Sequence, residues 1–277
     1  MQKEKVHFTK EKETMLITLY GKAMESQSKD PIIRDIVAEE TIRRIDYDFN
    51  NIRMSKFQMH SLAARSKVFD DWTEEYLTKN HVVTVLHLGC GLDSRVFRIN
   101  PPANVEWFDV DFPETIELRK RLFQKRANYH MIGSSVMEEA WFNQIPSDRP
   151  TLIIAEGLLL YLTEDEVKTL IKRLVNHFSE GQIVFDTLSP FFLKVYRFLH
   201  RLQKDNPAVS AAGAMKWGLN NPHEIEKWMP QVKLITELSA ADTPYIMKMS
   251  RGIRQIILMP TYIPQIRRMT MILHYQF

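Results

Sequence analysis

The chain has 277 residues, 44% of them hydrophobic and 26% charged, with a formal net charge of +3, which suits a globular protein with a large core, as one domain with an appendage or two small ones. Lysine and arginine are scattered among aspartate and glutamate, which argues against a nucleic-acid partner, while a pI near 8.8 suits an anionic substrate. No apolar stretch approaches the ~18 residues of a membrane span, the first twelve residues are too polar for a signal peptide, and the single cysteine, Cys90, allows no internal disulfide, so a cytoplasmic location is expected.

Residues 1–80 show helical patterns and no convincing strand. Thr14 to Glu25 sets Leu16, Leu19, Tyr20 and Ala23 at helical spacing, and Asp30-Pro31 reads as the start of a second helix with Ile32, Ile33, Ile36 and Val37 on its apolar face. A third spans about Arg53 to Leu77. An all-helical segment ahead of the first strand predicts a cap over the mouth of a site.

From Val82 strand and helix alternate, the pattern of a parallel sheet covered on both faces. Strands are predicted at 82–88, 105–110, 128–132, 151–155 and 182–186, with helices near 92–98, 113–124, 136–144 and 164–178. The last helix is marked by Thr163 as N-cap and the acidic turn Glu164-Asp165-Glu166. After Asp186 the alternation stops. Residues 188–229 carry Phe191, Phe192, Tyr196, Phe198, Trp217 and Trp228 with a break at Asn220-Asn221-Pro222, and read as an inserted helical lid whose aromatics mostly serve its own packing. Val232 to Leu238 resumes the sheet, Pro244 to Leu258 suggests a crossover helix, and Met269 to Phe277, after a hairpin-like Ile263-Pro264, forms a last strand antiparallel to its predecessor. The expected fold is α/β: a Rossmann-like, seven-stranded, mostly parallel sheet with an antiparallel last strand, an N-terminal helical cap (1–80), and a core (81–277) with a helical lid inserted at about 188–229.

The ends of parallel strands face one crevice, so residues just after them converge on a ligand. Here these are Gly89 and Gly91, Asp109 and Asp111, Ser134 and Ser135, Glu156 and Gly157, and Asp186. A strand, a glycine turn and a carboxylate about twenty positions later are the parts that hold a nucleoside, the acid accepting ribose hydroxyls. A glycine pair after an apolar run also occurs as a plain strand-to-helix turn. Ser94 stands where the nicotinamide fingerprint has its third glycine, which disfavours a nicotinamide-dependent oxidoreductase. Cys90, between the glycines, reads as a small filler of the turn rather than a redox thiol. No His/Asp/Glu cluster has metal-ligand spacing.

Three ordered stretches narrow this further: Val85-Leu86-His87-Leu88-Gly89-Cys90-Gly91-Leu92-Asp93-Ser94-Arg95, Trp107-Phe108-Asp109-Val110-Asp111-Phe112-Pro113, and Ile153-Ile154-Ala155-Glu156-Gly157-Leu158-Leu159-Leu160-Tyr161-Leu162. Together they resemble the leucine carboxyl methyltransferase family, class I S-adenosylmethionine-dependent methyltransferases that include bacterial O-methyltransferases of polyketide-like acids. The likeness extends to Thr18-Leu19-Tyr20-Gly21-Lys22-Ala23-Met24-Glu25-Ser26 and Ala64-Arg65-Ser66 in the cap, and is faint beyond residue 186. It implies that Lys22 and Arg65 bind the methionine carboxylate of S-adenosyl-L-methionine, Gly89 contacts the methionine portion, Gly91 belongs to the same cofactor-binding turn, Asp111 holds the ribose, and Glu156 lies near the methionine amino group. Beside the adenine the family commonly has Asp-Leu; this chain has Ser135-Val136, and serine accepts a hydrogen bond more weakly than a carboxylate. Tyr161 matches a frequent tyrosine and is the candidate for lining the acceptor pocket, or else a packed aromatic at a helix start.

The expected activity is O-methylation of a carboxylate or hydroxyl on a small acidic or phenolic molecule. A carboxylate needs no general base at neutral pH, whereas a phenol or alcohol does. His200, His223, Arg197 and Arg201 are further residues for meeting an acidic acceptor. Two alternatives stay open: a non-catalytic cofactor-binding or regulatory homologue, favoured by Ser135 and the unfamiliar lid, and a protein C-terminal carboxyl methyltransferase.

Overall fold

The computed structural model describes residues 3–5, 13–202, 211–239, 241–249, 251–258 and 263–277. Three helices dominate its start: α1 (Glu13–Ser26), α2 (Ile36–Arg44) and α3 (Lys56–Lys79). Beside them β1 (Glu4–Lys5) pairs in parallel with β2 (Ile45–Asp46). That pairing corrects the expectation of no strand before residue 80; two residues are too few to leave an alternating pattern.

The second helix begins at Ile36, five residues after Pro31. Glu25 takes the backbone N–H groups of Ile32 and Ile33 at 2.7 and 3.1 Å, so these residues cannot donate into a helical turn. Asp35 then caps α2 by accepting from Ala38 N at 2.9 Å. Ile32 and Ile33 bury themselves against Ala63 and Ala64 of α3, while Ile36 is exposed. The third helix starts at Lys56 behind a Ser55/Gln58 capping box.

The sheet comprises β3 (Val83–Leu88), β4 (Val105–Asp111), β5 (Tyr129–Gly133), β6 (Thr151–Ala155), β7 (Gly181–Leu188), β8 (Lys233–Ser239) and β9 (Thr270–Gln276), in the order β5-β4-β3-β6-β7-β9-β8. The first five run parallel, and β9 lies antiparallel between β7 and β8. Strand alternation gives the sheet two apolar faces. Leu86, Val110, Ile153 and Phe185 pack beneath α6 (Glu164–His177) with Val167, Leu170 and Leu174, whereas Val85, Trp107, Leu152 and Val184 pack beneath Val68 and Phe69 of α3. The cap helix α3 therefore covers the sheet itself. A third cluster joins α1 and α2 to α5 (Pro113–Leu122) through Leu16, Leu19, Ala38, Leu118 and Leu122.

Several expected helices are shorter. α4 covers Arg95–Ile99, because Asp93 N first closes a turn on Cys90 O, and it ends at Asn100 in the left-handed region. The helix expected at 136–144 is a 3-10 segment, Ala140–Gln144. Ser135 uses its hydroxyl and its carbonyl to accept from Met137 N and Glu138 N, and this turn delays the helix. Pro244 to Leu258 divides into a 3-10 stretch, Pro244–Lys248, and a helix, Arg251–Leu258; Pro264 opens a one-turn helix, Pro264–Arg267, rather than a hairpin.

After β7 the lid begins with α7 (Pro190–Leu202) and includes a 3-10 turn, Ala211–Ala214, and a short helix, Glu224–Trp228. Its return is tied down by backbone bonds: Lys216 N and Trp217 N donate to Leu160 O, and Leu219 N to Leu188 O. Trp217 is buried beside Phe185 and Trp228, whereas Phe191 and Phe198 are exposed on α7.

Candidate functional site

The ends of β3, β4, β6 and β7 lie on one edge of the sheet. At the end of β3, Gly89 and Gly91 both adopt left-handed backbone, φ +59° and +51°. The reason for glycine is partly internal: a Cβ at Gly89 would lie 2.7 Å from Leu158 Cδ1, and one at Gly91 3.2 Å from Met15 Cβ on α1. Cys90 is buried within the turn and burial pushes its thiol well above the ordinary range, so it is an unreactive filler, as expected.

Asp111, half-buried at the end of β4, faces this turn. Its Oδ2 accepts from Gly91 N and its Oδ1 from Phe112 N, both at 2.7 Å. Burial raises the carboxyl above its ordinary value despite these two donors, so Asp111 is a desolvated acceptor with lone pairs still available for ribose hydroxyls. Asp109, two residues earlier, points elsewhere. It is fully buried, ion-paired with Arg119 of α5, and accepts from Trp107 Nε1 at 2.9 Å and Tyr129 Oη at 2.5 Å. Arg119 also donates to the carbonyls of Gly91 and Asp93 at 2.8 Å each. This pair braces the glycine turn from below and removes Asp109 from the strand-end candidates.

The methionine-side candidates converge through ion pairs. Lys22 of α1 pairs with Asp93 at 2.9 Å; Arg65 of α3 pairs through Nε with Glu156 at 3.1 Å and through Nη1 with Asp186 at 2.9 Å. Glu156 also accepts from Ser66 Oγ at 2.7 Å and from Arg95. Burial alone would raise its carboxyl, but Lys22, Arg95 and Arg65 hold it far below the ordinary range. Asp186 accepts from Gly157 N at 2.5 Å, and burial raises its carboxyl despite Arg65. Tyr161 lies where the charges of Arg65 and Asp186 reach it, as does Tyr196 of α7 for Arg65; burial raises both phenols.

Thus Lys22, Arg65 and Glu156 are brought together, Gly89, Gly91 and Asp111 form a second group, and Tyr161 adjoins the first. Ser135 and Val136 follow the end of β5 beside the second group, where Gly133 is in register with Asp111 and Ser134 N donates to Asp111 O at 2.8 Å; the Ser135 hydroxyl accepts from Met137 N, and Val136 is buried in the core with Ile132 and Trp141. Arg197 donates to Met215 O at 3.0 Å and His223 pairs with Glu226, while the side chains of His200 and Arg201 lie outside the described residues. Among the described residues no group of His, Cys, Asp and Glu suits a metal, and no helix is long and apolar enough to cross a membrane.

Sequence reasoning missed most of the supporting network. Arg95 and Arg98, three apart on α4, meet Asp70, Asp93, Asp35 and Glu156, and Ser94 donates to Asp35 at 2.5 Å. The position of the absent third glycine is therefore a link between the turn and the N-cap of α2. The one available signal was Asp70 directly after the apolar pair Val68-Phe69, a charge in a helix face otherwise destined for the core.

This arrangement fits a cationic nucleoside ligand: a carboxylate acceptor at Asp111, a left-handed glycine turn beside it, and cations and carboxylates for an amino-acid end. The sequence profile of leucine carboxyl methyltransferases matches residues 15–175. The chain is 37% identical over 99% of both sequences to the tetracenomycin polyketide synthesis O-methyltransferase TcmP of Streptomyces glaucescens. It is 32% identical to the S-adenosyl-L-methionine-dependent methyltransferase dpfgK of Gibberella zeae, over 84% of this chain and 83% of the relative. In fold it is similar to a duf574 family protein from Streptomyces avermitilis, TM-score 0.58 at 11% identity, covering 97% of this chain and 99% of the other.

Proposed function

Because the chain belongs to the leucine carboxyl methyltransferase family and is an S-adenosylmethionine-dependent methyltransferase, we propose that it methylates a carboxylate or hydroxyl oxygen of a small, acidic, polyketide-like molecule. The observation that carries this reading is Arg65: a guanidinium from the cap, 27% exposed, held by Glu156 and Asp186 at the strand ends and neighboured by Tyr161. The name of the relative TcmP supplies the substrate class.

In this reading Asp111 holds the ribose, the Gly89 and Gly91 backbone lies along the methionine portion, Ser135 and Val136 border the adenine, Lys22 and Arg65 take the methionine carboxylate, and Glu156 takes the ammonium. The cofactor supplies an electrophilic methyl group on a sulfonium. The protein's part is placement: aligning the acceptor oxygen with that methyl and excluding water supplies much of the rate. Residues 1–80 serve as the cap and residues 188–229 as the lid, so that Tyr161 and the α7 side chains border the acceptor. An ionised carboxylate acceptor loses no proton in the step, which suits a site whose phenols and thiol are all pushed upward.

The test is transfer of a labelled methyl group from S-adenosylmethionine to a panel of aromatic carboxylic acids and phenols. Base-labile label in the acids indicates methyl esters and base-stable label in the phenols indicates ethers. Cofactor binding without transfer to any polyketide-like member, or transfer only to a peptide C-terminus, contradicts the proposal.

A further inference from the structure

Four cations and five carboxylates form one continuous ion-pair network around the ends of β3, β6 and β7. Arg98 touches Asp35, Asp70 and Asp93; Arg95 touches Asp70, Asp93 and Glu156; Lys22 touches Asp93; Arg65 touches Glu156 and Asp186. Every side chain in it is at most 9% exposed except Arg65 at 27%. The adjoining Asp109 and Arg119 neutralise each other and add no net charge. Among the described residues the network thus holds one carboxylate more than it has cations. Asp186 sits at its outer end and, among the described residues, pairs with one cation, Arg65, that it shares with Glu156.

We propose that Asp186 is a specificity-determining residue that makes the site prefer the positively charged methyl donor over its neutral thioether product. This rests on the reading that the methionine end of the cofactor lies against Arg65 and Glu156. S-adenosylmethionine and S-adenosylhomocysteine share adenine, ribose, ammonium and carboxylate, and differ in the methyl group and one positive charge. An uncompensated carboxylate in an enclosed site attracts that charge and has no corresponding hold on the product. At an effective dielectric of about 20, a unit charge roughly 10 Å away changes an affinity by about tenfold. The surplus charge therefore favours loading of the donor and release of the product.

The experiment is calorimetric titration of each ligand separately into the wild type, Asp186→Asn and Asp186→Glu, reading the ratio Kd(SAH)/Kd(SAM). A merely structural role for Asp186 moves both affinities together and leaves the ratio unchanged. The inference expects Asp186→Asn to lower the ratio about tenfold and Asp186→Glu to keep it within about twofold of the wild type. A ratio unchanged in Asp186→Asn overturns the inference alone; a wild type that binds neither ligand overturns it together with the functional reading. If the variants do not fold, the wild type alone is read: the inference expects a ratio of about ten, and a ratio at or below about one overturns it.

Discussion

Replacing Arg119 by leucine tests how the glycine turn is held. The guanidinium is fully buried and serves four groups at once: Asp109, Tyr129 Oη, and the carbonyls of Gly91 and Asp93; it also stacks 4.7 Å from the Phe123 ring. Removing one partner of a buried ion pair costs about 3–5 kcal/mol, because the other charge stays behind unpaired. With about 4 kcal/mol lost, the melting temperature should fall by roughly 10 °C in a protein of this size. Burial alone would raise the Asp109 carboxyl; in the wild type Arg119, with His87 and Tyr129, holds it at about 2. A depressed carboxyl contributes stability that is complete above its unfolded value of about 3.9 and is lost as pH falls through the folded value. In Arg119→Leu the sign reverses: Asp109 is left with its burial cost, its folded value rises above the unfolded one, and acidification relieves the penalty by protonating it. The stability difference between wild type and variant, from urea denaturation, should therefore be largest near neutral pH and shrink toward about pH 5. Asp109→Leu added to Arg119→Leu should recover most of the loss. A loss under about 1 kcal/mol, or one that grows on acidification, would refute the bracing role.

Three further outcomes follow from the same turn. Gly89→Ala combines a left-handed φ of +59° with a Cβ 2.7 Å from Leu158 Cδ1, and should cost about 2–4 kcal/mol in chemical denaturation; truncating Leu158 as well should relieve only the steric part, and a near-neutral Gly89→Ala would mean the turn is not so confined. Ser94→Gly completes the nicotinamide-like glycine pattern but removes the bond to Asp35; it should lose about 1–2 kcal/mol and gain no NADH binding in a fluorescence titration, whereas gained binding would reopen the oxidoreductase reading. Cys90, buried with its thiol pushed upward, should resist a disulfide reagent at neutral pH until the protein is unfolded, and rapid labelling of the native protein would contradict its enclosure.

The sheet was legible because its signal is local. Runs such as Val83 to Leu88 and Thr151 to Ala155 are mostly apolar and buried along their whole length, and each predicted strand lies within a few residues of the observed one. Element starts were less legible where a side chain captures backbone. Glu25 holds Ile32 and Ile33 out of a helix that Pro31 appeared to open, and Ser135 holds Met137 and Glu138 in a turn. Spacing alone carries neither event, since each depends on a specific acceptor. At the site, Asp111 was readable from its distance to the glycine turn, but its separation from Asp109 was not: alternation put the two on the same face, and only the position of Arg119 on α5 shows that one is internal. Arg95 and Arg98 escaped because charged residues on a short helix resemble a solvated face; their partners come from α3, from the glycine turn, from the end of β6 and from the residue before α2.

The central proposal, that Asp111 beside the glycine turn holds the ribose of S-adenosylmethionine, is tested most directly by titrating S-adenosylhomocysteine into the wild type and Asp111→Ala in a calorimeter. The account predicts saturable binding at one site per chain, weakened on the order of 100-fold or more in the variant, since hydrogen bonds to a charged group are worth about 1.5–3 kcal/mol each, with the free variant still unfolding cooperatively above the titration temperature. Equal affinity in the two proteins would contradict it.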